Sequence, residues 1–312
     1  MRTRARLGLV VVGVLVASGC TSASTQQSSF TVDKTATGAG FSTATLRKYS
    51  NSNAMKHVHK LAGAGGVGVR VRSKAGELAG SKYIRKRFEA LGYKTRVQTF
   101  SVDGGTSRNV IAWWPDAKRY GLVVGAHMDT VPRSPGANDN ASGVAVMLEM
   151  ARIAAGRDPV RLVRFVAFGA EEYGTNGEHH VGSQVYVNRL GKRGRARLGG
   201  MISIDMIADG RPLITGTSGM GPEVVARTVF NKMRKKVRMT YQTLCDCSDH
   251  GPFERAGIPA TFLYSGNEPN YHDPSDKPKN LRKRDLRRTG WGVRFFFKQI
   301  DLGMIRRFRR ER

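Results

Sequence analysis

Four short apolar runs, each ending in a polar or glycine-rich turn, constrain the fold of this chain most. They are Gly121 to His127, Arg161 to Phe168, Met201 to Ile207 and Pro259 to Tyr264. Runs this short and rich in β-branched residues predict buried strands, as in a parallel sheet covered by helices. Helical stretches alternate with them. Ser142 to Ala155 places Val144, Met147, Leu148, Met150 and Ala151 inward, and Pro222 to Val237 and Asp285 to Gln299 are two further helices. Upstream, residues 42–92 read as largely helical. There Lys74 to Leu91 carries Leu78, Tyr83, Ile84, Phe88 and Leu91 near helical spacing, with Gly92 as the stop. Tyr93 to Val102 follows as a strand with Tyr93, Thr95, Val97 and Thr99 on one face, and Asn109 to Trp114 as another. The alternation predicts the α/β class: a three-layer α/β/α sandwich around a mostly parallel, mixed sheet. A chain of 312 residues is ample for that core, and no internal repeat or second core interrupts it.

The N-terminus reads as an export signal. Arg2, Arg4 and Arg6 precede the apolar run Leu7 to Ala17, which is too short to span a bilayer, and Ala17-Ser18-Gly19-Cys20 follows. That ending resembles the lipobox of bacterial lipoproteins, with Ala17 where leucine is usual. The resemblance implies a lipid on Cys20 and a place on the outer face of the cell membrane, or secretion if Cys20 is unmodified. The expected organisation is a signal over 1–20, a Ser/Thr/Gln-rich tether over 21–41, the folded domain over 42–303 and a basic tail over 304–312. Export places Cys245 and Cys247 in an oxidising space, where they can pair across one intervening residue or stay reduced.

The formal net charge is +28, and residues 281–312 alone hold twelve basic and three acidic side chains. Such a field favours anionic surfaces and does not specify a nucleic acid. Gly63, Gly65 and Gly68 spell GxGxxG, but the motif follows no strand and opens no helix, so it reads as a loop and not as a dinucleotide site.

Chemistry gathers at the ends of the apolar runs, where open α/β sheets place their sites. His127 and Asp129, two apart, point to one face. Asp139 stands before the helix at Ser142, and Glu171-Glu172 follow Phe168. Asp205 lies within an apolar strand, where a carboxylate is costly unless paired or metal-bound. His272 lies in the loop after the last strand. Two imidazoles and five carboxylates form a nitrogen and oxygen ligand set suited to zinc, with cobalt or manganese as substitutes.

These blocks, in this order, resemble the co-catalytic zinc aminopeptidases of peptidase clan MH, over about His59 to Leu302. The clan includes bacterial leucyl aminopeptidases and aminopeptidase Y and, more distantly, glutamate carboxypeptidase and glutaminyl cyclases. Ser248-Asp249-His250 leading to Gly257-Ile258-Pro259-Ala260 belongs to the same resemblance. It implies a phosphorylase/hydrolase-like fold and two zinc ions: His127 and Asp205 on the first, Glu172 and His272 on the second, Asp139 bridging. It also implies Glu171 as general base, Asp129 orienting His127, Tyr271 assisting the tetrahedral intermediate, and a cis peptide after Asp139. The implied substrates are peptides with a free N-terminus. Carboxypeptidase and glutaminyl cyclase chemistry remain alternatives, as does a non-catalytic cationic lipoprotein.

Overall fold

In the computed structural model, residues 46–117, 121–174, 177–266 and 268–312 are described. The signal, Cys20 and the tether over 21–41 lie outside the described residues. The first element is helix α1 (Asn51–Ala62), capped by the Ser50 side chain on the Asn53 amide, and α2 (Ala75–Ala90) follows. Between them runs a loop over 63–74, which contains the expected glycine-rich loop. Its glycines follow a helix, and the Gly68 carbonyl accepts from Arg70. Leu78, expected inside, lies on the exposed side of α2, while Ile84 and Phe88 are fully buried.

Strands β1 (Lys94–Val102), β2 (Gly105–Trp113), β3 (Leu122–His127), β4 (Val163–Phe168), β5 (Gly200–Ile204), β6 (Leu213–Thr217), β7 (Met239–Thr243) and β8 (Ala260–Ser265) form one sheet, in the order β1-β2-β4-β3-β5-β8-β6-β7. The central β4, β3, β5 and β8 run parallel, whereas β1 and β2 pair antiparallel, as do β6 and β8. This is the mixed, mostly parallel sheet that the apolar runs predict. β1 departs from its expected face: Thr95 and Val97 are half-buried, but from Gln98 onward Gln98, Phe100 and Val102 face inward and Thr99 faces out.

Alternate residues of the central strands feed two cores, as a strand period of two requires. Leu122, Val124, Phe165, Ile202 and Leu263 face one core with helices α1, α2, α3 (Gly143–Ala154), α5 (Val224–Met233) and α7 (Lys283–Phe297). Val123, Val166, Phe168 and Met201 face the other, with Tyr186 and Val187 of α4 (Val181–Arg197) and Phe253 of α6 (Gly251–Arg255). The result is an α/β/α sandwich.

The segment expected to be a basic tail is instead ordered from α8 (Leu302–Arg310), whose Asp301 side chain caps the Met304 amide. Ile305 and Phe308 are buried, and Ile305 lies over Gly121, where no side chain would fit. Cys245 and Cys247 form a disulfide, with Cα atoms 5.1 Å apart. Among the described residues, no helix is long and apolar enough to cross a membrane.

Candidate metal centre

Parallel strands that end together deliver their next residues to one place. His127 is the last residue of β3. Asp205 follows β5, its amide donating to the Leu263 carbonyl at 2.9 Å. After β4 the chain turns through Gly169 and Ala170, the latter at φ +52°, to present Glu171 and Glu172. Asp139 comes from the turn Ala137–Ser142 ahead of α3, and its peptide bond to Asn140 is cis, as the resemblance implies. Asn140 fixes this turn, donating to the Ile204 carbonyl at 2.9 Å and accepting from the Gly143 amide at 2.9 Å. His272 arrives on the loop after β8, at φ +57°.

The seven predicted residues other than Tyr271 are all close together. His127 Nε2 lies 3.0 Å from Asp139 Oδ1 and 3.2 Å from Asp205 Oδ1. His272 Nε2 lies 3.0 Å from Glu172 Oε2 and 3.3 Å from Asp139 Oδ2. Two ligand-like sets therefore share Asp139: His127, Asp139 and Asp205, and Asp139, Glu172 and His272, each with donor atoms within 4.8 Å of one another. Glu171 Oε2 sits 4.0 Å from His127 Nε2. Tyr271 is exposed at the mouth, its ring stacked on His272 at 3.7 Å between centroids.

Asp129 lies beside both His127 and the acidic pair. Its Oδ1 is 3.7 Å from His127 Nδ1, too far for a hydrogen bond. Both its oxygens instead accept backbone amides, from Glu171 at 3.1 Å and Glu172 at 3.2 Å. Asp129 clamps the acidic pair more directly than it holds the imidazole.

Several supporting residues escape sequence reasoning. Asp276 accepts from the amides of Asn138 at 2.7 Å and Asp139 at 3.0 Å. Ser248 donates to Asp205 Oδ2 at 2.9 Å. His180 Nε2 lies 3.1 Å from Glu171 Oε1, and its amide donates to the Glu171 carbonyl at 2.8 Å. Arg70, fully buried, donates to the carbonyls of Leu61, Gly68, Met128, Pro135 and Gly136, stitching the glycine-rich loop under the site. Only Ser248, through the block around Asp249, carries a sequence signal.

The electrostatics suit a cation site. Burial pushes the Glu171 carboxyl well up, and the charges of Glu172, Asp205 and Asp249 add to it while His127 opposes. Burial and the Asp139 charge push Glu172 up to about 7. Burial alone would depress His127, but Asp205, Glu171 and Asp139 hold it well above its usual range. His272 is likewise raised to about 10 against its burial, by Asp139 and Glu172. Among the described residues, the ion-pair partners of these carboxylates are imidazoles. Imidazoles bind a metal as neutral ligands, and an oxygen-rich set such as this one favours cations. His127 Nδ1 and Glu172 Oε1 are buried without a hydrogen-bond partner, a further sign of a polar site built for more than the protein supplies. The donor set and its shared carboxylate fit metal ions.

Comparison with known proteins agrees with this geometry. Residues 109–297 match the model of peptidase family M28. Leupeptin-inactivating enzyme 1 of Streptomyces exfoliatus is 33% identical over 223 residues, covering 69% of this chain and 49% of that protein. The probable lipoprotein aminopeptidase LpqL of Mycobacterium tuberculosis is 30% identical over 241 residues, covering 63% and 46%. The chain thus spans about half the length of these curated relatives. Among solved structures, the zinc aminopeptidase BSAP of Bacillus subtilis superposes with a TM-score of 0.72 at 20% identity, covering 80% of this chain and 94% of that one.

Proposed function

The chain belongs to peptidase family M28, and from that premise we propose that it is a zinc-dependent exopeptidase, an aminopeptidase that removes N-terminal residues from peptides. The observation that carries the reading is Asp139, whose two oxygens face the two imidazole-bearing sets. In this reading His127 and Asp205 would hold one ion, Glu172 and His272 a second, and Asp139 both. Zinc so held would supply Lewis acidity and lower the pKa of water toward neutrality.

The remaining chemistry belongs to the chain. Glu171 is the general base: buried beside His127, its carboxylate can take a proton from water and later return it to the leaving amine. His180 holds Glu171 Oε1, so Oε2, the oxygen nearer His127, is the one free to move the proton. Asp129 fixes the backbone of both acids and so their relative aim. Burial and the nearby carboxylates keep the Tyr271 phenol protonated, so at the mouth it can donate to a developing oxyanion. The surrounding carboxylates favour a substrate ammonium, which supports trimming from the N-terminus. Export and lipid anchoring at Cys20 complete the proposal, supported by the printed name of the LpqL relative. Contact of the basic C-terminal segment with an anionic surface belongs to the same reading.

The test is Glu171→Gln, assayed on aminoacyl reporter amides. Turnover is expected to fall by roughly 10²–10⁴ or more with metal still bound. Unchanged turnover would remove the proposed base.

A further inference from the structure

The exposed side of α7 and the end of α5 bear a patch that the peptidase reading leaves unused. Residues 224–238 and 286–300 together hold ten basic side chains and no acidic one. Helix α7 turns Leu286, Val293, Phe296 and Phe297 into the core. Its opposite stripe, Arg284, Arg287, Trp291, Phe295 and Lys298, recurs at helical spacing on the outer side. Trp291 is 53% exposed. The two segments meet where Gly292 passes close to the side chains of Met233 and Val237. Three cations lie over aromatic rings across this ridge: Arg287 over Trp291 at 5.3 Å, Lys236 over Phe295 at 5.3 Å and Arg234 over Phe230 at 5.5 Å. Lys235 and Arg238 are exposed beside them.

We propose that this ridge is a docking surface for an anionic phospholipid bilayer, with Trp291 seated at headgroup level among the basic side chains. Charge alone would suit any polyanion. An exposed tryptophan ringed by Arg and Lys is the composition of membrane–water interfaces, where an amphipathic ring and cations on apolar stems both find their medium. Each basic residue near an anionic leaflet contributes about 1 kcal/mol of attraction, so several suffice for salt-sensitive adsorption. The lipid expected on Cys20 would hold the chain at such a surface. The ridge deepens the anionic-surface contact above and shares no residue with the metal centre.

The experiment is co-sedimentation of the full chain with vesicles of phosphatidylcholine alone or with about one third phosphatidylglycerol, at low and high salt. The N-terminal segment, with Arg2, Arg4 and Arg6 ahead of its apolar run, is common to every variant, so its contribution is a shared background when variants are compared. Binding above that background is expected only with phosphatidylglycerol at low salt. Lys235→Glu/Arg287→Glu/Lys298→Glu should lower partitioning by about fivefold or more for each position changed. Trp291 emission should shift to the blue on binding, and Trp291→Phe should abolish the shift, since Trp113 and Trp114 are half-buried against the two cores. Peptide turnover off the vesicle, unchanged in both variants, checks their folding. Equal binding to both vesicle types, a triple variant that binds like the parent, or binding confined to duplex DNA would each overturn the proposal. A chain inactive on peptides that still docks would refute the enzymatic reading alone.

Discussion

Asp139 sets its Oδ1 3.0 Å from His127 Nε2 while its Oδ2 reaches the second imidazole, that of His272, at 3.3 Å. One carboxylate therefore joins two strand ends and a distant loop. Its position depends on Asp276, which accepts from the backbone amides of Asn138 and Asp139. Asp276→Ala frees those amides without touching the ligand atoms. Metal affinity, read by competition with a chelator, is expected to weaken by about 10–100-fold. An unchanged affinity would show that Asp139 is held by other means.

His180 reaches Glu171 from the opposite side to the metal-facing residues. Its own ring is paired with His179, Nδ1 to Nδ1 at 2.8 Å, and burial pushes its pKa down to about 2, so it is neutral. Losing this contact lets the Glu171 carboxyl rotate. His180→Ala should lower kcat by about 10–100-fold with metal content intact, and His180→Gln, which retains a donor, should recover part of the loss. Equal rates for the two variants would assign His180 a packing role.

Glu77 is fully buried in α2, accepting from the Ser73 amide at 2.7 Å and from the Ser107 hydroxyl. Burial and then the charge of Asp129 push its carboxyl up to about 7. The folded chain thus binds this proton more tightly than the unfolded chain, whose carboxyl titrates near ~4.3. The associated stability is complete below that unfolded pKa and is lost as pH rises through about 7. Urea unfolding should therefore show stability falling across that window by a few kcal/mol, on the order of 3, and Glu77→Gln should flatten the slope. A slope unchanged in the variant would place the titration elsewhere.

Arg70 is a stability residue, fully buried with all its guanidinium bonds going to backbone carbonyls. Arg70→Met keeps the stem but orphans five acceptors. The expected loss is about 3–5 kcal/mol, read as a lower urea midpoint. A loss below about 1 kcal/mol would mean that water replaces the guanidinium.

What could be read in the sequence was what strand and helix periods encode. β3, β4, β5 and β8 are largely apolar, so their ends, and with them His127, Glu171, Glu172 and Asp205, stood out. Asp139 and His272 lie in irregular loops, and their partnership came only from the ordered resemblance. His180, Asp276 and Arg70 were silent because tertiary folding, not periodicity, brings them to the site, and Arg70 follows a glycine-rich loop that reads as solvent-exposed. Helix α4 is obscured by Gly191, at φ +61° within it, and by its basic residues. In β7 the last residues are exposed or half-buried, so the apolar signal fails there. Helix α8 buries only Ile305 and Phe308 among arginines, which is why it resembled a tail.

Metal content per folded chain, measured on protein loaded with zinc and freed of excess ion, tests the shared carboxylate at its root. Two equivalents are expected, with both peptide turnover and thermal stability falling on chelation and returning with zinc. A single equivalent at full activity would contradict the two-ion centre and return the chain to the one-zinc cyclase alternative.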